Sequence, residues 1–498
     1  MKYQHDPFGS RLPIKLDASS NGEYAPIPLE PPHQHANLLA HRTADVNAKR
    51  LNLDRRSFLV SACGVAGSLL SMNAAYAQAN KIGGFFELDN TAALDLVAAR
   101  SAVDGEEFIF DVQGHFVNPT GAWIKRLPPN ARPLRMPKTQ SCGPSKGPGE
   151  IDYLNCIGQD EFIKDVFMDS DTDLMVLSFV PSTRLDEPLT IEEAAATAKI
   201  VEKLDGTHRL YIHGRVNPNS PGDIEAMDEL AARYQIAAWK TYTQWGPDGK
   251  GFFLDDEISL KFIDKAVKLG TRNIAVHKGL AFGQKSYEHS TCVDVGRVAK
   301  RYTHVNFLIY HSGFAADKAE GPYDEKRTDG IDALVTSLIK SGIAPGSNVY
   351  AELGSTWRLL MRDPDSAAHA LGKLFKYCGE GNVLWGTDSI WYGSPQDQIQ
   401  AFRTFQIAPA LRDKYRYPQM TKELRAKVFG LNALKIYPVP ADVLSKHLKG
   451  DRVARVRDAY REQPDPRFVT YGPKTRREFL NLKRWESSSM PTRSSDLA

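Results

Sequence analysis

Asn273-Ile-Ala-Val-His277 and Asn306-Phe-Leu-Ile-Tyr-His311 are short apolar runs that each end on a histidine. Two further runs share this pattern: Phe108-Ile-Phe-Asp-Val-Gln-Gly-His115 ends on a histidine, and Val383-Leu-Trp-Gly-Thr-Asp388 ends on an aspartate. Apolar runs of this length are typical of strands that a parallel sheet buries on both faces. Because the strand ends of one barrel converge in space, we expect the four polar side chains to meet, and imidazole and carboxylate groups are ligands of divalent metals.

The fold class follows from what lies between these runs. Further apolar runs are Asp173–Val180, Leu210–Val216, Ile236–Tyr242 and Val349–Leu353, and helical patterns occupy Thr190–Leu204, Ile224–Tyr234, Asp256–Leu269 and Ile331–Ser341. Alternating strands and helices predict a parallel sheet, and eight such units favour closure over an open sheet. The sequence therefore predicts an α/β fold, a (β/α)8 TIM barrel.

Two additions to the barrel are expected. The long stretch Pro119–Asp171 follows the first strand, so it should lie over the barrel mouth as a lid or substrate wall. Lys427–Tyr437 is amphipathic and ends at prolines, and the charged residues from Ala441 onward should pack outside the barrel as a helical C-terminal extension. A Ser-rich tail from about Ser487 is expected to be disordered. The predicted parts are residues 1–77, 78–440 and 441–498.

The N-terminal part contains an expected export signal. Asp54-Arg-Arg-Ser-Phe-Leu59 precedes an apolar, Ala- and Gly-rich stretch and then Ala75-Tyr-Ala77, an order that resembles a twin-arginine signal. The apolar stretch is too short and too mild for a stable membrane span. We therefore expect a periplasmic or otherwise exported protein that uses the twin-arginine translocation machinery and matures near Gln78. The alternative is an amphipathic helix with an accidental arginine pair.

Composition excludes several classes of function. With 498 residues, of which 42% are hydrophobic and 25% charged, the chain is ordinary globular material. Its net charge of +3 indicates no nucleic-acid partner, and a P-loop, a dinucleotide fingerprint and a Cys-x-x-Cys pair are all missing. A small-molecule substrate is the expected partner, and a homo-oligomer is compatible with the sequence.

The cysteines fit an oxidising compartment loosely. Cys142 and Cys156 lie in one Pro- and Gly-rich loop and could pair, which would add roughly 3 kcal/mol of stability. A pair and two free thiols are equally compatible with the sequence. Cys292 and Cys378 fall in predicted helices, where we expect buried free thiols.

At this point the ordered motifs resemble the amidohydrolase superfamily. They are Asp111-x-x-x-His115 after the first strand, histidines after the fifth and sixth strands, Gly386-Thr-Asp388 after the eighth, and Phe429-Gly-x-Asn-Ala433. The likeness covers roughly Phe108 to Tyr437. It is greatest for the branch that contains aminocarboxymuconate semialdehyde decarboxylase and related aromatic-acid decarboxylases, hydratases and lactonases.

This resemblance implies a ligand set and a base. His115, His277 and Asp388 would hold one divalent metal ion, with zinc expected and manganese as the alternative. His311 would be the catalytic base that deprotonates a metal-bound water or acts on the substrate, and Asp388 would take part in catalysis as well as binding. A metal lowers the pKa of its water, and a nearby imidazole completes the proton transfer. The alternative for each histidine is a core residue or a strand-end hydrogen-bonding group.

One position departs from the family pattern. The family has His-x-His after the first strand, whereas this chain has Gln113-Gly-His115. An amide oxygen is a weaker zinc ligand than imidazole. Gln113 could weaken the metal site or favour a harder ion such as manganese, it could orient substrate or water, or it could mark the loss of metal-dependent catalysis. We favour the second interpretation and keep Gln113 among the candidate metal-site residues.

Other polar and aromatic residues are candidate substrate contacts. Lys240, on the fourth strand, could bind a substrate carboxylate or an oxyanion, and a barrel-mouth ion pair is the alternative. Glu352, on the seventh strand, could neutralise Lys240 or touch the metal, although a structural role is favoured. Trp245 and Trp391 follow the fourth and eighth strands and suit a flat apolar substrate, while packing explains each of them equally well.

The sequence therefore predicts an exported metal-dependent hydrolase that acts on a small organic substrate through a metal-activated water, and an aromatic substrate is compatible with this prediction. The first alternative is a metal-dependent non-oxidative decarboxylase of an aromatic or unsaturated acid, because the same residues serve both reactions. Export favours hydrolysis mildly. The second alternative is a non-catalytic barrel that binds a ligand, and the joint retention of the strand-end histidines and aspartate speaks against it.

Overall fold

The computed structural model describes residues 3–126, 152–205, 208–246, 249–280, 287–448 and 450–486. The strands are β1 Gly84–Phe86, β2 Phe110–Gly114, β3 Leu174–Leu177, β4 Leu210–Arg215, β5 Ile236–Tyr242, β6 Asn273–His277, β7 Asn306–Tyr310, β8 Val349–Glu352, β9 Val383–Leu384 and β10 Phe405–Ile407. The helices are α1 Pro31–Arg50, α2 Arg55–Val60, α3 Ala62–Gln78, α4 Leu96–Val103, α5 Asp152–Cys156, α6 Gln159–Ile163, α7 Ile191–Asp205, α8 Met227–Arg233, α9 Glu257–Lys268, α10 Tyr287–Ser290, α11 Val295–Arg301, α12 Gly330–Ser341, α13 Thr356–Leu360, α14 Pro364–Tyr377, α15 Gln396–Thr404, α16 Pro409–Tyr415, α17 Lys422–Ala426, α18 Ala441–Leu448, α19 Arg452–Glu462 and α20 Arg476–Glu486. Short 3-10 or π-helical turns are Ala122–Arg126, Lys164–Met168, His311–Gly313, Glu380–Asn382, Lys427–Leu431 and Ala433–Lys435.

The barrel is built from β2 to β9, which form one parallel sheet in sequence order. Its last strand returns to its first, since the Val112 amide donates to the Trp385 carbonyl at 3.0 Å. The Asp388 amide likewise donates to the Gln113 carbonyl at 3.0 Å. The sheet is therefore closed, and the predicted (β/α)8 TIM barrel is confirmed.

Apolar side chains fill the lower part of the barrel interior. This cluster includes Phe110, Val112, Leu174, Val176, Leu308, Tyr310 and Leu384, together with Ala433, Tyr437 and Val443 from the C-terminal side of the chain. Tyr437 packs against Phe110 with ring centroids 5.3 Å apart, so the residues after β9 close the N-terminal ends of the strands. Polar chemistry is thereby left to the opposite end, where the strands finish.

The N-terminal residues pack against the barrel. Leu69 and Met72 of α3 are buried in the same apolar cluster as Leu360 and Leu371 beside the barrel. Arg56, in the predicted twin-arginine motif, is 1% exposed, and it donates a hydrogen bond to a backbone carbonyl of the C-terminal segment. In the described part of the chain, no helix is long and apolar enough to cross a membrane. None of these contacts tests export, which stays a prediction.

The regions outside the barrel add two features that the sequence did not predict. The short strands β1 and β10 pair antiparallel, with Phe86 opposite Phe405. In the C-terminal extension, Asp451 forms a buried ion pair with Arg209, with its carboxylate 2.5 Å from the guanidinium, and so ties α19 to the start of β4. The tail from Ser487 lies outside the described residues.

The expected lid and the cysteines have mixed outcomes. Residues 127–151 of the predicted lid, with Cys142, lie outside the described part, so its pairing with Cys156 stays a prediction. The described remainder of the predicted lid packs against β3 through Phe162, which shares an apolar cluster with Leu177.

Cys292 and Cys378 are buried and free, as predicted. They do not lie in helices, however: both occupy the chain just outside a helix, before α11 and after α14.

Candidate metal centre

The strand ends carry backbone conformations that are rare for residues with side chains. His311, Ser355 and Asp388 have φ values of 64°, 53° and 59°. Conformations of this kind cost free energy and gather at functional sites, where surrounding contacts hold them. The Glu352 carboxylate provides such a contact by accepting a hydrogen bond from the His311 amide at 3.0 Å. These turns place the side chains that follow β7, β8 and β9 at the barrel mouth.

His311 presents a lone pair to the site. Its Nδ1 lies 2.7 Å from the Gly354 carbonyl oxygen, which can only accept, so Nδ1 carries the proton. Nε2 is therefore unprotonated in the neutral ring. Burial lowers the pKa of His311 to about 4, which keeps the imidazole neutral at physiological pH. A neutral imidazole with a directed lone pair is either a metal ligand or a base.

His277 is arranged in the same way. Its Nε2 lies 3.3 Å from the Leu280 carbonyl oxygen, which assigns the proton to Nε2 and leaves the lone pair on Nδ1. Burial, and then the neighbouring His311, lower the pKa of His277 well below its ordinary value. Its ring stacks on Tyr242 with centroids 5.0 Å apart and lies 4.5 Å from the His311 ring. Both lone pairs thus belong to neighbouring, neutral rings.

A carboxylate that the sequence did not predict completes this group. Glu23 belongs to residues 17–24, which we call the N-terminal strap because they cross the barrel mouth. Its Oε1 lies 3.4 Å from His277 Nδ1, and its Oε2 lies 3.7 Å from His311 Nε2. Among the described residues, these three offer donor atoms that all lie within 4.8 Å of one another. They form a donor set for one divalent metal ion, which zinc and manganese would both suit.

Asp388 lies beside this donor set and accepts hydrogen bonds from several side chains. It accepts from His115 Nε2 at 3.1 Å, from Ser355 Oγ at 2.5 Å and from Asn21 Nδ2 at 2.7 Å. Burial alone would raise the pKa of Asp388, but the hydrogen bond and charge of His115 hold it well below its ordinary value. Asn21 Nδ2 also lies 2.6 Å from Glu23 Oε2, so this amide joins the two carboxylates.

Gln113 turns its amide nitrogen towards the site. Nε2 donates to Asp388 Oδ1 at 3.1 Å and lies 3.4 Å from His115 Nε2 and 3.5 Å from His311 Nε2. The nitrogen faces the carboxylate because a carboxylate only accepts. The amide oxygen has no hydrogen-bond partner among the described residues. Gln113 therefore places an uncharged N–H group, which donates a hydrogen bond and has no lone pair for a metal, where the family pattern has a histidine.

The structure divides the sequence-predicted ligands into two groups. His115 contacts Asp388, while His277 lies with His311 and with Glu23 of the N-terminal strap. All four predicted residues therefore reach the barrel mouth. Within the described chain, the trio of His115, His277 and Asp388 does not form a single cluster of converging donor atoms.

Lys240 and Glu352 lie next to this centre. The Lys240 side chain is 0% exposed, and its Nζ lies 3.6 Å from the centroid of the Tyr310 ring without a hydrogen-bond partner in the described chain. Burial lowers the pKa of Lys240 to about 7. Glu352 accepts hydrogen bonds from the His311 and Gly354 amides, and burial raises its pKa to about 8. Glu352 thus fixes the backbone after β7, whereas Lys240 is a cation without a committed partner.

The two predicted aromatic contacts differ in position. Trp391 is half-buried and stacks on His115, with centroids 5.6 Å apart and planes 24° from parallel. Trp245 is fully buried and packs against Tyr242, the ring that stacks on His277. Trp391 therefore forms part of the wall at the site, while Trp245 lies one ring behind it.

Three candidate functional residues were not predicted from the sequence: Asn21, Glu23 and Ser355. Ser355 follows β8 directly after Gly354, and its strand-end position was a usable signal. Asn21 and Glu23 lie in a stretch without periodicity and far from any strand. No local pattern could have placed them at the barrel mouth.

Comparisons with known proteins agree with this architecture. A family model described as Amidohydrolase (Amidohydro_2) matches residues 191–439, which is half of the chain. A comparison with curated proteins found no match.

Several solved structures are similar to this chain at low identity, including the following three. A probable 2-pyrone-4,6-dicarboxylic acid hydrolase from Acinetobacter baumannii is 12% identical, covers 66% of this chain and 98% of its own, and has a TM-score of 0.40. 5-Carboxyvanillate decarboxylase from Sphingomonas paucimobilis is 12% identical, with coverages of 67% and 100% and a TM-score of 0.42. 2,6-Dihydroxybenzoate decarboxylase from Rhizobium is 15% identical, with coverages of 66% and 98% and a TM-score of 0.39. Likenesses of this size carry no information about substrate or reaction.

Proposed function

Because the chain belongs to the amidohydrolase family, we propose that this enzyme is a metal-dependent hydrolase that acts on a small organic substrate through an activated water molecule. The observation that carries the proposal is the convergence of the His277 and His311 lone pairs with a buried carboxylate. This convergence occurs at the C-terminal ends of the strands, where TIM-barrel enzymes have their active sites.

The donor atoms present suit the proposed ion. Two neutral imidazoles and a carboxylate are common ligands of zinc in catalytic sites, and manganese accepts the same set. A bound ion would polarise a substrate carbonyl and lower the pKa of water. The Gly354 and Leu280 carbonyls fix the protonation of His311 and His277 so that both lone pairs face the centre.

The remaining polar side chains divide the other tasks. Asp388 is proposed to orient the attacking water, because the hydrogen bonds from Ser355 and His115 fix the direction of its carboxylate. Lys240 is the proposed cation that stabilises negative charge developing on the substrate. Trp391 offers a flat apolar wall, which suits an aromatic substrate.

The role of His311 separates two assignments. The sequence-based one makes His311 the base, with His115, His277 and Asp388 as ligands, whereas the donor set described above makes His311 a ligand. Elemental analysis of His311→Ala decides between them. Loss of the metal supports the ligand role, while a variant that keeps the metal and loses turnover supports the base.

The reaction itself is tested with metal-loaded enzyme and a panel of esters, amides, lactones and aromatic acids in water enriched in oxygen-18. Hydrolysis places the heavy isotope in the product acid, whereas decarboxylation releases carbon dioxide and leaves the remaining product unlabelled. We expect labelled acid. Release of carbon dioxide together with an unlabelled organic product would support the decarboxylase. Tight binding of a compound without turnover would support the non-catalytic barrel.

Export by the twin-arginine route is also part of the proposal. It is supported by Arg55-Arg56, the apolar stretch that follows and Ala75-Tyr-Ala77. Fractionation of the native cells, with detection of the chain by mass spectrometry, measures its location. Recovery from the periplasm is expected, and recovery from the cytoplasm alone would contradict export.

A further inference from the structure

We propose that the N-terminal strap completes the metal centre, with Glu23 as a ligand beside His277 and His311, and that the active enzyme therefore keeps its first residues. This inference rests on the proposed metal-dependent function. A chain that matured near Gln78 would lack Glu23, so the inference also separates export from the removal of the N-terminal residues.

The separations between donor atoms fit a shared ion better than direct hydrogen bonds. Glu23 Oε1 is 3.4 Å from His277 Nδ1, and Glu23 Oε2 is 3.7 Å from His311 Nε2. Hydrogen bonds between nitrogen and oxygen are centred at about 2.9 Å. Two ligands of a tetrahedral zinc ion, each bonded at about 2.0–2.1 Å, lie about 3.3 Å apart. The strap thus holds its carboxylate at the spacing that a first ligand shell requires.

The opposite side of the site explains why such a ligand is needed. The Gln113 amide nitrogen donates a hydrogen bond to Asp388, so residue 113 at the end of β2 directs no lone pair to the metal centre. The Glu23 carboxylate, which belongs to the N-terminal strap and not to the barrel, takes the place of the ligand that is missing there. The ion would then lie on the β6 and β7 side of the mouth.

The charges point to a cation at the same place. Glu23 and Asp388 are both buried and are joined by Asn21, which donates to each carboxylate. Among the described residues, neither carboxylate forms an ion pair with a lysine or arginine. His115 offsets the charge of Asp388 through its hydrogen bond, whereas a divalent ion held by His277 and His311 would offset the charge of the buried Glu23 carboxylate.

The strap is anchored on both sides of Glu23, which distinguishes it from a removable plug. The Ser20 amide donates to the Pro473 carbonyl at 2.9 Å, and the Tyr24 hydroxyl lies 2.9 Å from that of Tyr392. Asp17 forms an ion pair with the buried Arg358 at 3.0 Å. These contacts fix the carboxylate before an ion binds, so little entropy is lost on ligation.

The test is the metal affinity of the full-length protein, measured by chelator competition with zinc and with manganese. Glu23→Gln keeps the size and polarity of the side chain but removes its charge. We expect zinc affinity to fall by at least about 10- to 100-fold, the loss typical for partners of a metal site. Glu30→Gln is the matched control, since Glu30 is 60% exposed on the same N-terminal segment, and its affinity should equal that of wild type.

A second readout does not depend on affinity. Cobalt-loaded wild type and Glu23→Gln should differ in their visible absorption spectra, because these spectra follow the ligand set. If Glu23→Gln fails to fold in a thermal melt, Glu23→Asp retains the charge but withdraws it by one methylene group, and the same shift and weakening are expected. Equal affinities and identical cobalt spectra in wild type and the folded variants would overturn the inference.

The outcomes distinguish this inference from the function on which it rests. A folded wild-type protein that binds neither zinc nor manganese would refute the metal-dependent function itself. Tight binding by wild type that Glu23→Gln leaves unchanged would refute the role of the strap alone. N-terminal sequencing of the metal-loaded enzyme from its native cells adds an independent check, since a start near Gln78 would also overturn the inference.

Discussion

Replacing Lys240 with methionine should make the protein more stable, and the gain should depend on pH. Lys240 is fully buried, and burial lowers the pKa of its ammonium group from 10.5 to about 7. Because the folded-state pKa lies below the unfolded one, folding carries a penalty that is fully present below pH 7. The penalty shrinks as the pH rises towards 10.5, where the amine is neutral in both states.

The magnitude follows from the difference between the two pKa values. The difference between pKa values of 10.5 and about 7 corresponds to a folding penalty of roughly 4 to 5 kcal/mol below pH 7. At pH 9 the amine is already neutral in the folded state but still charged in the unfolded state, and the penalty falls to about 2 kcal/mol. Methionine is unbranched and apolar, so it can fill the same space beside Tyr310 without a charge.

Urea unfolding of the metal-free protein at pH 6 and pH 9, followed by circular dichroism, measures this difference. Lys373→Met is the matched control, because Lys373 is equally buried but pairs with Glu320 at 2.5 Å and Asp332 at 2.8 Å. Removing its charge leaves the buried Glu320 without this cation, while Asp332 keeps only its pair with Arg327 at 3.5 Å, and it should lower the free energy of unfolding by about 3 to 5 kcal/mol. A Lys240→Met variant no more stable than wild type at pH 6, or one whose gain is the same at both pH values, would refute the reasoning.

Three further substitutions test the site and the fold. Gln113→His should tighten zinc binding, because an imidazole replaces the amide at the end of β2; unchanged affinity in a zinc titration would count against residue 113 contacting the metal. Ser355→Ala removes the hydroxyl that donates to Asp388 at 2.5 Å, and kcat should fall about 10- to 100-fold with the metal retained; an unchanged kcat would speak against a catalytic Asp388. Arg209→Leu breaks the buried ion pair with Asp451 and should lower the free energy of unfolding by about 3 to 5 kcal/mol, so an unaltered urea midpoint would contradict this estimate.

The barrel was readable from the sequence because its strands are buried on both faces. β5 and β6 have the predicted bounds, Ile236–Tyr242 and Asn273–His277. The predicted run Asp173–Val180 was too long, since β3 ends at Leu177. Phe179 remains apolar beyond the last paired residue because it packs in the cluster that includes Phe162 and Leu177. An apolar run in the sequence therefore indicates which residues are buried, and buried residues continue beyond the last hydrogen-bonded residue of the strand.

The predicted amidohydrolase family is confirmed. The sequence also predicted that His115, His277, His311 and Asp388 lie at one end of the barrel, and the structure places them there. Their grouping could not be predicted, because it depends on which nitrogen of each ring a backbone carbonyl engages. The N-terminal strap was equally out of reach. Its position is defined by contacts with residues hundreds of positions away, and no local propensity records such contacts.

The anchoring of the strap also ties together the two ends of the chain. Ser19 donates to the Gly472 carbonyl across a sequence separation of 453 residues, and Ser20 contacts Pro473. During synthesis the barrel strands emerge long before this C-terminal segment does. These two contacts of the strap can therefore form only after residues 472 and 473 have been synthesised. A chain that ended before Gly472 would contain every strand of the barrel but would lack these two anchors of the strap, so the order of the metal centre depends on a segment that contributes no residue to it.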